Sequence, residues 1–333
     1  MNTKRMVALI VAAVLLLFSL GINTLMSILT TDFKASFDSV MGGDMLAFEE
    51  EFESGDSNER IVRLEVDGAL LDSGETSLLS SGDNYNHQAF LQQLDTVMED
   101  DSIAAVLLVV NSPGGGMIES DAIHRKLMEI KAQDKPIYVS MGSMAASGGY
   151  YISTPADKIF AYRETITGSI GVILQAMNLS GLMEKVGITY ETITSGEHKD
   201  MFSSTRPSTE EEIAMLQELV DDSFTAFVDV VAQGRNMSTE QVRKLADGRL
   251  LGGKQALEAG FIDEIGDEEQ ALAAIRADFD LQDASYFGYT NNAASWSSWI
   301  GMKVGTLFQK PTWEQELSGR LPSVTARLLY MYE

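Results

Sequence analysis

Residues 103–116 read IAAVLLVVNSPGGG, which places an apolar run directly before a glycine-rich turn. The run at 103–111 is continuous, as is typical of a strand covered on both faces. Pro113 then favours an extended backbone, and the glycines allow conformations that other residues avoid. An amphipathic pattern follows at 120–133. The stretch therefore predicts a strand, a tight turn and a helix, the repeating unit of an α/β sheet.

The same alternation continues on both sides. Apolar runs predict strands at 61–71, 136–142 and 158–162, and amphipathic patterns predict helices at 89–100 and 208–236. Ser208 with Glu211 and Ser238 with Gln241 predict capping boxes where two helices begin. Strand–helix alternation of this kind predicts an α/β fold in which parallel sheets carry packed helices.

The composition excludes several classes of site. The 333 residues include no cysteine, so the chain has no disulfide and no thiolate for zinc binding or catalysis. The formal net charge of −25 argues against a nucleic-acid partner, which requires a basic surface. The absence of an H-E-x-x-H motif excludes that type of zinc peptidase.

The first residues predict a membrane anchor. Lys4 and Arg5 precede a long uncharged run, and about 20 apolar residues are enough to span a bilayer. We assign 1–5 to a cytoplasmic stub, 6–29 to one transmembrane helix and the rest to the outer side, because the positive flank stays inside. The acidic stretch 30–60 is interpreted as a solvated linker. A cleaved signal peptide is the alternative for the apolar run.

A second stretch, SMGSMAASGGYYIS at 140–153, surrounds Ser147 with residues that have little or no side chain. A serine at a strand-to-helix turn exposes its hydroxyl, as in the nucleophile elbow G-x-S-x-G, from which AASGG differs at the first glycine. An N-cap serine is the alternative. The glycines at 114–116 can present N–H groups to an oxyanion. A phosphate-binding loop is the alternative there, although no GK[ST] pattern follows.

A serine nucleophile also requires a general base, and the chain has three histidines. His124 lies within a predicted amphipathic helix, and His87 precedes a helix without an obvious link to Ser147. His198 and Lys199 are adjacent in the sequence SGEHKD. A lysine acts as a base only when it is uncharged. The residues alone leave His198 and Lys199 as alternatives.

Five segments, in this order and spacing, resemble the signal peptide peptidase A family, which consists of membrane-anchored bacterial serine proteases of peptidase family S49 on the ClpP/crotonase fold. The segments are VNSPGGG (110–116), SMGSMAASGGYYIS (140–153), TITGSIGVI (165–173), SGEHKD (195–200) and ADGRLLGGKQALEAGFIDEIG (246–266). The resemblance covers roughly 61–270 and implies a ClpP/crotonase-like protease domain at 61–285.

The resemblance also implies a role for each site residue. Ser147 is expected to be the nucleophile and Lys199 the general base, which leaves His198 as a neighbour. Ser169 matches a serine that hydrogen-bonds the lysine, and a plain turn residue is the alternative. The N–H groups expected to form the oxyanion hole are those of Gly114 or Gly115 together with Gly148.

The function implied by the resemblance is the degradation of signal peptides left in the bacterial cell membrane after preprotein processing. Expected substrates are these and other extended, apolar peptides, and no cofactor or metal is expected, because acyl transfer by serine and lysine needs none. Longer members of the family carry two tandem domains that share a dyad. This half-length form is therefore expected to assemble as a ring-like homo-oligomer in which Lys199 reaches Ser147 of a neighbouring subunit. The alternatives are a crotonase-type acyl-CoA enzyme and a non-catalytic membrane scaffold.

The C-terminal extension, 286–333, ends in the sequence SVTARLLYMYE. An exposed apolar end on a soluble domain requires a partner. One interpretation is that it packs on its own domain or at a subunit contact. The other is that it resembles a substrate and adds as an extended strand to the edge of a groove at Ser147.

Overall fold

The computed structural model describes residues 48–72, 85–290 and 328–331. The predicted stub at 1–5 and the predicted anchor at 6–29 lie outside these residues. Among the described residues, no helix is long and apolar enough to cross a membrane.

Two sheets form within the described residues, and most of their strands are parallel. The strands are β1 (Phe48–Glu53), β2 (Asp56–Asp67), β3 (Ile103–Ser112), β4 (Gly114–Gly116), β5 (Ile137–Ala146), β6 (Lys158–Ala161), β7 (Ile166–Gly168), β8 (Ile173–Leu174), β9 (Leu250–Gly252), β10 (Glu264–Ile265), β11 (Ala284–Thr290) and β12 (Leu328–Met331). The larger sheet has the order β1-β11-β2-β3-β5-β6-β10, and β7 joins it by pairing with β5 and with β9. The β7–β9 pair is antiparallel, so this sheet is mixed. The smaller sheet has the order β4-β12-β8.

Helices cover both faces of the larger sheet. They are α1 (His87–Glu99), α2 (Met117–Lys131), α3 (Gly148–Ser153), α4 (Ser180–Lys185), α5 (Glu210–Gly234), α6 (Thr239–Leu245), α7 (Gly253–Ala259) and α8 (Glu268–Asp278). The predicted α/β architecture with packed helices is therefore confirmed, with a sheet that is mixed instead of wholly parallel.

β3 lies between two hydrophobic cores, as its sequence predicts. Val106, Leu108 and Val110 belong to a core shared with α1 and α2. Ala105 and Leu107 belong to a second core shared with α8. All five side chains are fully buried. Burial of one Val or Leu side chain stabilises a fold by about 1.5–3 kcal/mol, so a strand packed on both faces requires a continuous apolar run.

The predicted acidic linker, 30–60, is wrong at its C-terminal end. Residues 48–53 form β1, and β2 begins at Asp56, five residues before the predicted strand. The N–H of Asp56 donates to the carbonyl of Asp283 at 2.7 Å, which ties this segment to the domain. Residues 49–59 are exposed. Because an exposed edge strand needs no apolar alternation and is protected by charge, its composition is the same as that of a linker.

The predicted domain end at residue 285 is also too early. β11 continues to Thr290, and Phe287 lies in parallel register with Val62 of β2 and is 2% exposed.

The capping box of α5 consists of Thr209 and Glu212, one residue later than predicted, because the Glu212 carboxylate is the one that accepts from the Thr209 N–H. The box of Ser238 and Gln241 is confirmed.

Candidate active site

The carboxyl ends of β3, β5 and β7 meet at one edge of the larger sheet, and Ser147 lies there. Ser112 of β3 is in register with Ala145, and Ala146 is in register with Gly168 of β7. Ser147 follows β5 directly, and its N–H donates to the carbonyl of Gly168 at 2.8 Å. In α/β sheets, ligand sites form outside the carboxyl ends of the strands.

The backbone of Ser147 adopts an unusual conformation for a residue with a side chain. Its φ is 53° and its ψ is −114°, and the residue is 1% exposed. Strain of this kind costs about 1–3 kcal/mol and is concentrated at functional sites. Ser147 occupies the N-cap position of α3, as the alternative interpretation has it, but its side chain makes no capping hydrogen bond to the helix. A strained serine between a strand and a helix has the geometry of a nucleophile elbow.

The glycine strand β4 packs against α3, the helix that follows Ser147. The N–H of Leu70 donates to the carbonyl of Gly114 at 2.9 Å, and the N–H of Gly116 donates to the carbonyl of Leu70 at 2.8 Å. Neighbouring residues of a strand direct their N–H groups to opposite sides. The N–H of Gly115 therefore faces away from Leu70, towards β12.

Two glycines allow backbones to approach each other closely at this edge. An added Cβ at Gly115 would lie 2.1 Å from the carbonyl oxygen of Leu70. An added Cβ at Gly149 would lie 2.8 Å from the carbonyl oxygen of Ser112. The small residues around Ser147 thus hold the ends of β3 and β5 and the start of α3 together.

Sequence reasoning missed two residues of this region. The buried hydroxyl of Ser112 accepts the N–H of Gly114 at 3.1 Å. Its position just before Pro113 in the glycine stretch was the available signal. Leu70 forms an isolated parallel bridge with Gly115. That contact joins distant parts of the chain, and no local pattern predicts it.

Ser169 lies immediately after the residue that accepts the Ser147 N–H. It has a φ of 50°, is 7% exposed, and donates its N–H to the carbonyl of Arg249 at 2.9 Å. Ser169 lines a cavity of about 500 Å³ whose other walls include Ile173, Val220 and Phe224. The cavity therefore borders β8 and begins at the residue after Gly168, the residue that accepts the Ser147 N–H.

Lys199 is placed differently from the other predicted site residues. It lies in a turn, its side chain is exposed, and its N–H donates to the carbonyl of Gly196 at 3.2 Å. No hydrogen bond joins Lys199 to Ser147 or Ser169 in the part of the chain that the structure describes. Within the described residues, the predicted base is therefore exposed to solvent and is not hydrogen-bonded to the predicted nucleophile.

The histidines have other surroundings. Nδ1 of His87 lies 2.6 Å from the hydroxyl of Tyr85, and the ring of His124 packs on Tyr151 with ring centroids 5.2 Å apart. Burial lowers the pKa of both His87 and His124. Nδ1 of His198 is buried and has no hydrogen-bond partner among the described residues. Within those same residues, no group of three or more His, Asp or Glu side chains is placed to hold a metal ion.

A segment of the C-terminal extension lies in this site. β12 runs antiparallel to β4, with Tyr330 in register with Gly115. It also runs antiparallel to β8, with Leu329 in register with Ile173. An extended strand thus lies between the glycine strand and the strand that borders the cavity. This placement is compatible with both interpretations of the extension, because the strand packs on its own domain and also extends along the edge formed by β4 and β8.

The segment between β8 and α5 exposes large apolar side chains. Ile193 is 96% exposed, and the others in this segment are more than half exposed. They are Met177, Leu182, Val186, Ile188 and Tyr190. We call the segment 175–193 the apolar arm. Exposed apolar groups in this number mark an interaction surface.

Comparison with known proteins identifies relatives of this chain. Residues 129–282 match peptidase family S49. An Enterococcus faecium protein named "Putative signal peptide peptidase SppA" is 45% identical over 311 residues, which cover 91% of this chain and 90% of that protein. "Protease 4" of Haemophilus influenzae is 34% identical over 242 residues, which cover 71% of this chain and 38% of that protein. Among solved structures, a mutant of ClpP1 from Listeria monocytogenes aligns with a TM-score of 0.41 and 18% identity over 63% of this chain and 94% of that one.

Proposed function

Because the chain belongs to peptidase family S49 and is a serine protease, we propose that it is a membrane-anchored endopeptidase with Ser147 as nucleophile and Lys199 as general base. Its proposed substrates are extended apolar peptides, including signal peptides left in the membrane after preprotein processing. The name of the Enterococcus faecium relative supports this substrate class. The proposed anchor is 6–29, with the catalytic domain on the outer side and a ClpP/crotonase-like arrangement of its sheets.

The observation that carries the assignment of the nucleophile is the backbone of Ser147. Its φ of 53° and ψ of −114° turn the chain sharply between β5 and α3, and its side chain is not used to cap the helix. A serine held in this way can direct its hydroxyl at a peptide that lies along the edge of the sheet. This geometry supports nucleophilic catalysis over a structural role.

In the proposed reaction, Oγ of Ser147 attacks the scissile carbonyl carbon while its proton passes to Nζ of an uncharged Lys199. The carbonyl oxygen becomes an oxyanion, for which the N–H groups of Gly115 and Gly148 are the proposed donors. The C–N bond then breaks, and the leaving amine takes the proton from Lys199. Water hydrolyses the acyl-enzyme in the same two steps, with Lys199 again as the base. The N–H of Gly114 is the weaker candidate, because it already donates to Ser112 Oγ at 3.1 Å.

The proposed source of Lys199 is a neighbouring subunit. Lys199 is exposed in its own chain, and the cavity beside Ser169 has room for an incoming side chain. The apolar arm precedes Lys199 in sequence, and burial of the arm against a second copy would remove its apolar surface from water. These features support a ring-like homo-oligomer with a dyad shared between subunits, in which Ser169 orients the lysine.

The proposed substrate groove is the position now occupied by β12. Strand addition supplies main-chain hydrogen bonds to any extended peptide, and alternate side chains enter pockets that set specificity. β12 pairs with β4 on one side and with β8 on the other, so a substrate strand in its place would pass the Gly115 N–H. We propose that the C-terminal extension is a built-in competitor for this groove.

A fluorophosphonate, which reacts with activated serines, tests the proposed dyad. We expect wild type to be labelled, Ser147→Ala to remain unlabelled, and Lys199→Ala to be labelled about 10²–10⁴-fold more slowly, the usual contribution of a general base. His198→Ala is the matched control, since it alters the adjacent residue, and it should be labelled at the wild-type rate. Slow labelling of His198→Ala together with normal labelling of Lys199→Ala would show that the base is assigned incorrectly.

A further inference from the structure

Arg206 joins two carboxylates that lie on either side of it in the sequence. Its Nε donates to Oδ2 of Asp200 at 2.8 Å, and its Nη2 donates to Oδ1 of the same residue at 2.7 Å. Its Nη1 donates to Oε2 of Glu212 at 2.9 Å, and its Nη2 also donates to Oε1 at 2.5 Å. One guanidinium therefore makes a two-point contact with each carboxylate, a geometry that the point charge of a lysine cannot reproduce.

The two carboxylates belong to different parts of the structure. Asp200 directly follows Lys199 in its turn. Glu212 belongs to the first turn of α5, where its carboxylate accepts the N–H of Thr209 at 2.8 Å, and its side chain is 2% exposed. α5 is 25 residues long and packs on the core through Phe227, Val228 and Val231. Arg206 therefore ties the exposed turn that carries Lys199 to the start of a long helix whose C-terminal half packs on the core.

The backbone of the turn is held mainly by its own hydrogen bonds. The N–H groups of Lys199, Met201 and Ser203 donate to carbonyls three residues earlier, at 3.1–3.2 Å. Single turns with short-range bonds of this kind do not fix the direction of a long side chain. The hydrogen bonds from Arg206 lower the pKa of both Asp200 and Glu212, so both carboxylates stay charged and bound at neutral pH.

We propose that Arg206 is a positioning residue that fixes the Lys199 turn, through Asp200, in the orientation from which Lys199 reaches Ser147. The inference rests on the proposed function, in which Lys199 is the general base. Arg206 acts in the same chain as Lys199, so each subunit orients the lysine that it presents. Displacement of a general base by about 1 Å can lower the reaction rate by about 10²-fold, so a contact that fixes the position of Lys199 would have a measurable effect on kcat.

The test compares Arg206→Lys with Arg63→Lys, using hydrolysis of an extended apolar peptide by the full chain. Arg63 is a matched control because its guanidinium also bridges two carboxylates, those of Glu65 and Glu268, away from the Lys199 turn. We expect Arg206→Lys to lower kcat by about 10–100-fold while KM changes less than about twofold. Arg63→Lys should leave both constants unchanged. Equal kcat values for the two variants would overturn the proposal.

A second variant shows whether a loss of kcat in Arg206→Lys comes from unfolding at the start of α5. Asp200→Ala removes the link to the Lys199 turn and leaves the pair of Arg206 with Glu212 in place, so its thermal unfolding should match wild type. We expect its kcat to fall as far as that of Arg206→Lys, and the double variant to be no slower than either, because both changes break one connection. Losses that multiply in the double variant would contradict positioning through Asp200.

The Lys199→Ala variant distinguishes failure of the proposed base, Lys199, from failure of the proposed positioning role of Arg206. If Lys199→Ala keeps wild-type kcat, the proposed base is wrong, and the role of Arg206 falls with it. If Lys199→Ala is inactive while Arg206→Lys and Asp200→Ala keep wild-type kcat, the proposed function stands and only the positioning role is overturned.

Discussion

Gly115 packs so closely on Leu70 that an added Cβ would lie 2.1 Å from the Leu70 carbonyl oxygen. That oxygen accepts the N–H of Gly116, so it cannot move without loss of the bridge that holds β4. We expect Gly115→Ala to displace the proposed oxyanion donor and lower kcat/KM by about 10²–10³-fold. Overpacking should also destabilise the fold by about 1–3 kcal/mol, measured by urea unfolding.

Gly252 provides the control for that substitution. It is the N-cap residue of α7 with a φ of −74°, and an added Cβ would lie 3.7 Å from Oε1 of Gln255, an ordinary contact distance. Gly252→Ala is expected to leave kcat/KM unchanged and to lower the free energy of unfolding by less than about 1 kcal/mol, because alanine is a poorer N-cap residue than glycine. If Gly115→Ala hydrolyses peptides as fast as Gly252→Ala, the glycine strand does not supply the oxyanion donor.

Glu212 makes the start of α5 sensitive to acid. Its hydrogen bonds from Arg206 lower its pKa from 4.5 to about 2 in the folded chain. A carboxyl whose folded pKa is depressed contributes stability that is fully present above its unfolded pKa and is lost as the pH falls towards the folded value. We therefore expect Glu212→Gln to be less stable than wild type at pH 7, and the difference to shrink between about pH 5 and pH 2.

Thermal unfolding of both proteins across this pH range measures that difference directly. Glu211→Gln is the matched control, because Glu211 precedes Glu212 by one residue and lies outside the capping box. Its unfolding temperature should follow wild type at every pH. A gap between Glu212→Gln and wild type that stays constant down to pH 2 would show that the Arg206 contacts do not stabilise the folded chain.

The sequence predicts the central elements well because their patterns are local. β3 is an apolar run buried on both faces, and α2 follows it after the glycine turn. β1 could not be predicted, since its described side chains are exposed acidic and aromatic groups on an edge strand. β12 offered only a short apolar run, and its partners β4 and β8 lie far away in the chain.

The residues of the candidate site likewise fall into those that a local sequence pattern predicts and those that only the folded chain reveals. Ser147 and the glycine strand are recognisable because a strand, small residues and a helix follow one another within a few positions. The assignment of the general base to Lys199 instead of His198 depended on family resemblance, because no local sequence pattern distinguishes these two adjacent residues as bases. Leu70 and Arg206 were missed, since their importance comes from contacts with Gly115 and with Asp200 and Glu212 that only the folded chain creates.

β12 leads to a prediction about regulation by the C-terminal extension. Its position against β4 and β8 is the proposed groove, so a substrate must displace it. Deletion of residues 323–333 is expected to lower KM for short apolar peptides while kcat stays unchanged, because only competition is removed. Steady-state hydrolysis by the truncated and full-length chains measures the effect.

Intact-mass analysis tests the same element in a second way. If the extension enters a Ser147 groove as a substrate does, wild type should accumulate chains shortened at the C-terminus. Ser147→Ala should keep the full-length mass under the same conditions. An unchanged KM on deletion, together with identical masses in the two proteins, would return the extension to a purely structural role.

At the scale of the whole molecule, the exposed apolar arm and the exposed Lys199 both point to assembly with a second copy of the chain. The proposed nucleophile, Ser147, lies at a packed sheet edge, whereas the proposed base, Lys199, is exposed and follows the apolar arm in sequence. Assembly through the arm would bury that segment and bring Lys199 to the cavity beside Ser169 of the next subunit. Activity is then expected only from the oligomer and not from a single chain.

Subunit mixing tests this claim most directly. Ser147→Ala and Lys199→Ala chains, each expected to be inactive alone, are mixed in equal amounts under conditions that allow subunit exchange. The rate of peptide hydrolysis is then measured. Mass spectrometry of the oligomers is the control that shows that mixed oligomers have formed. Because random mixing pairs an intact serine with an intact neighbouring lysine at about one site in four of a cyclic oligomer, we expect about a quarter of wild-type activity to return. Mixed oligomers that form but remain inactive would contradict a dyad shared between subunits.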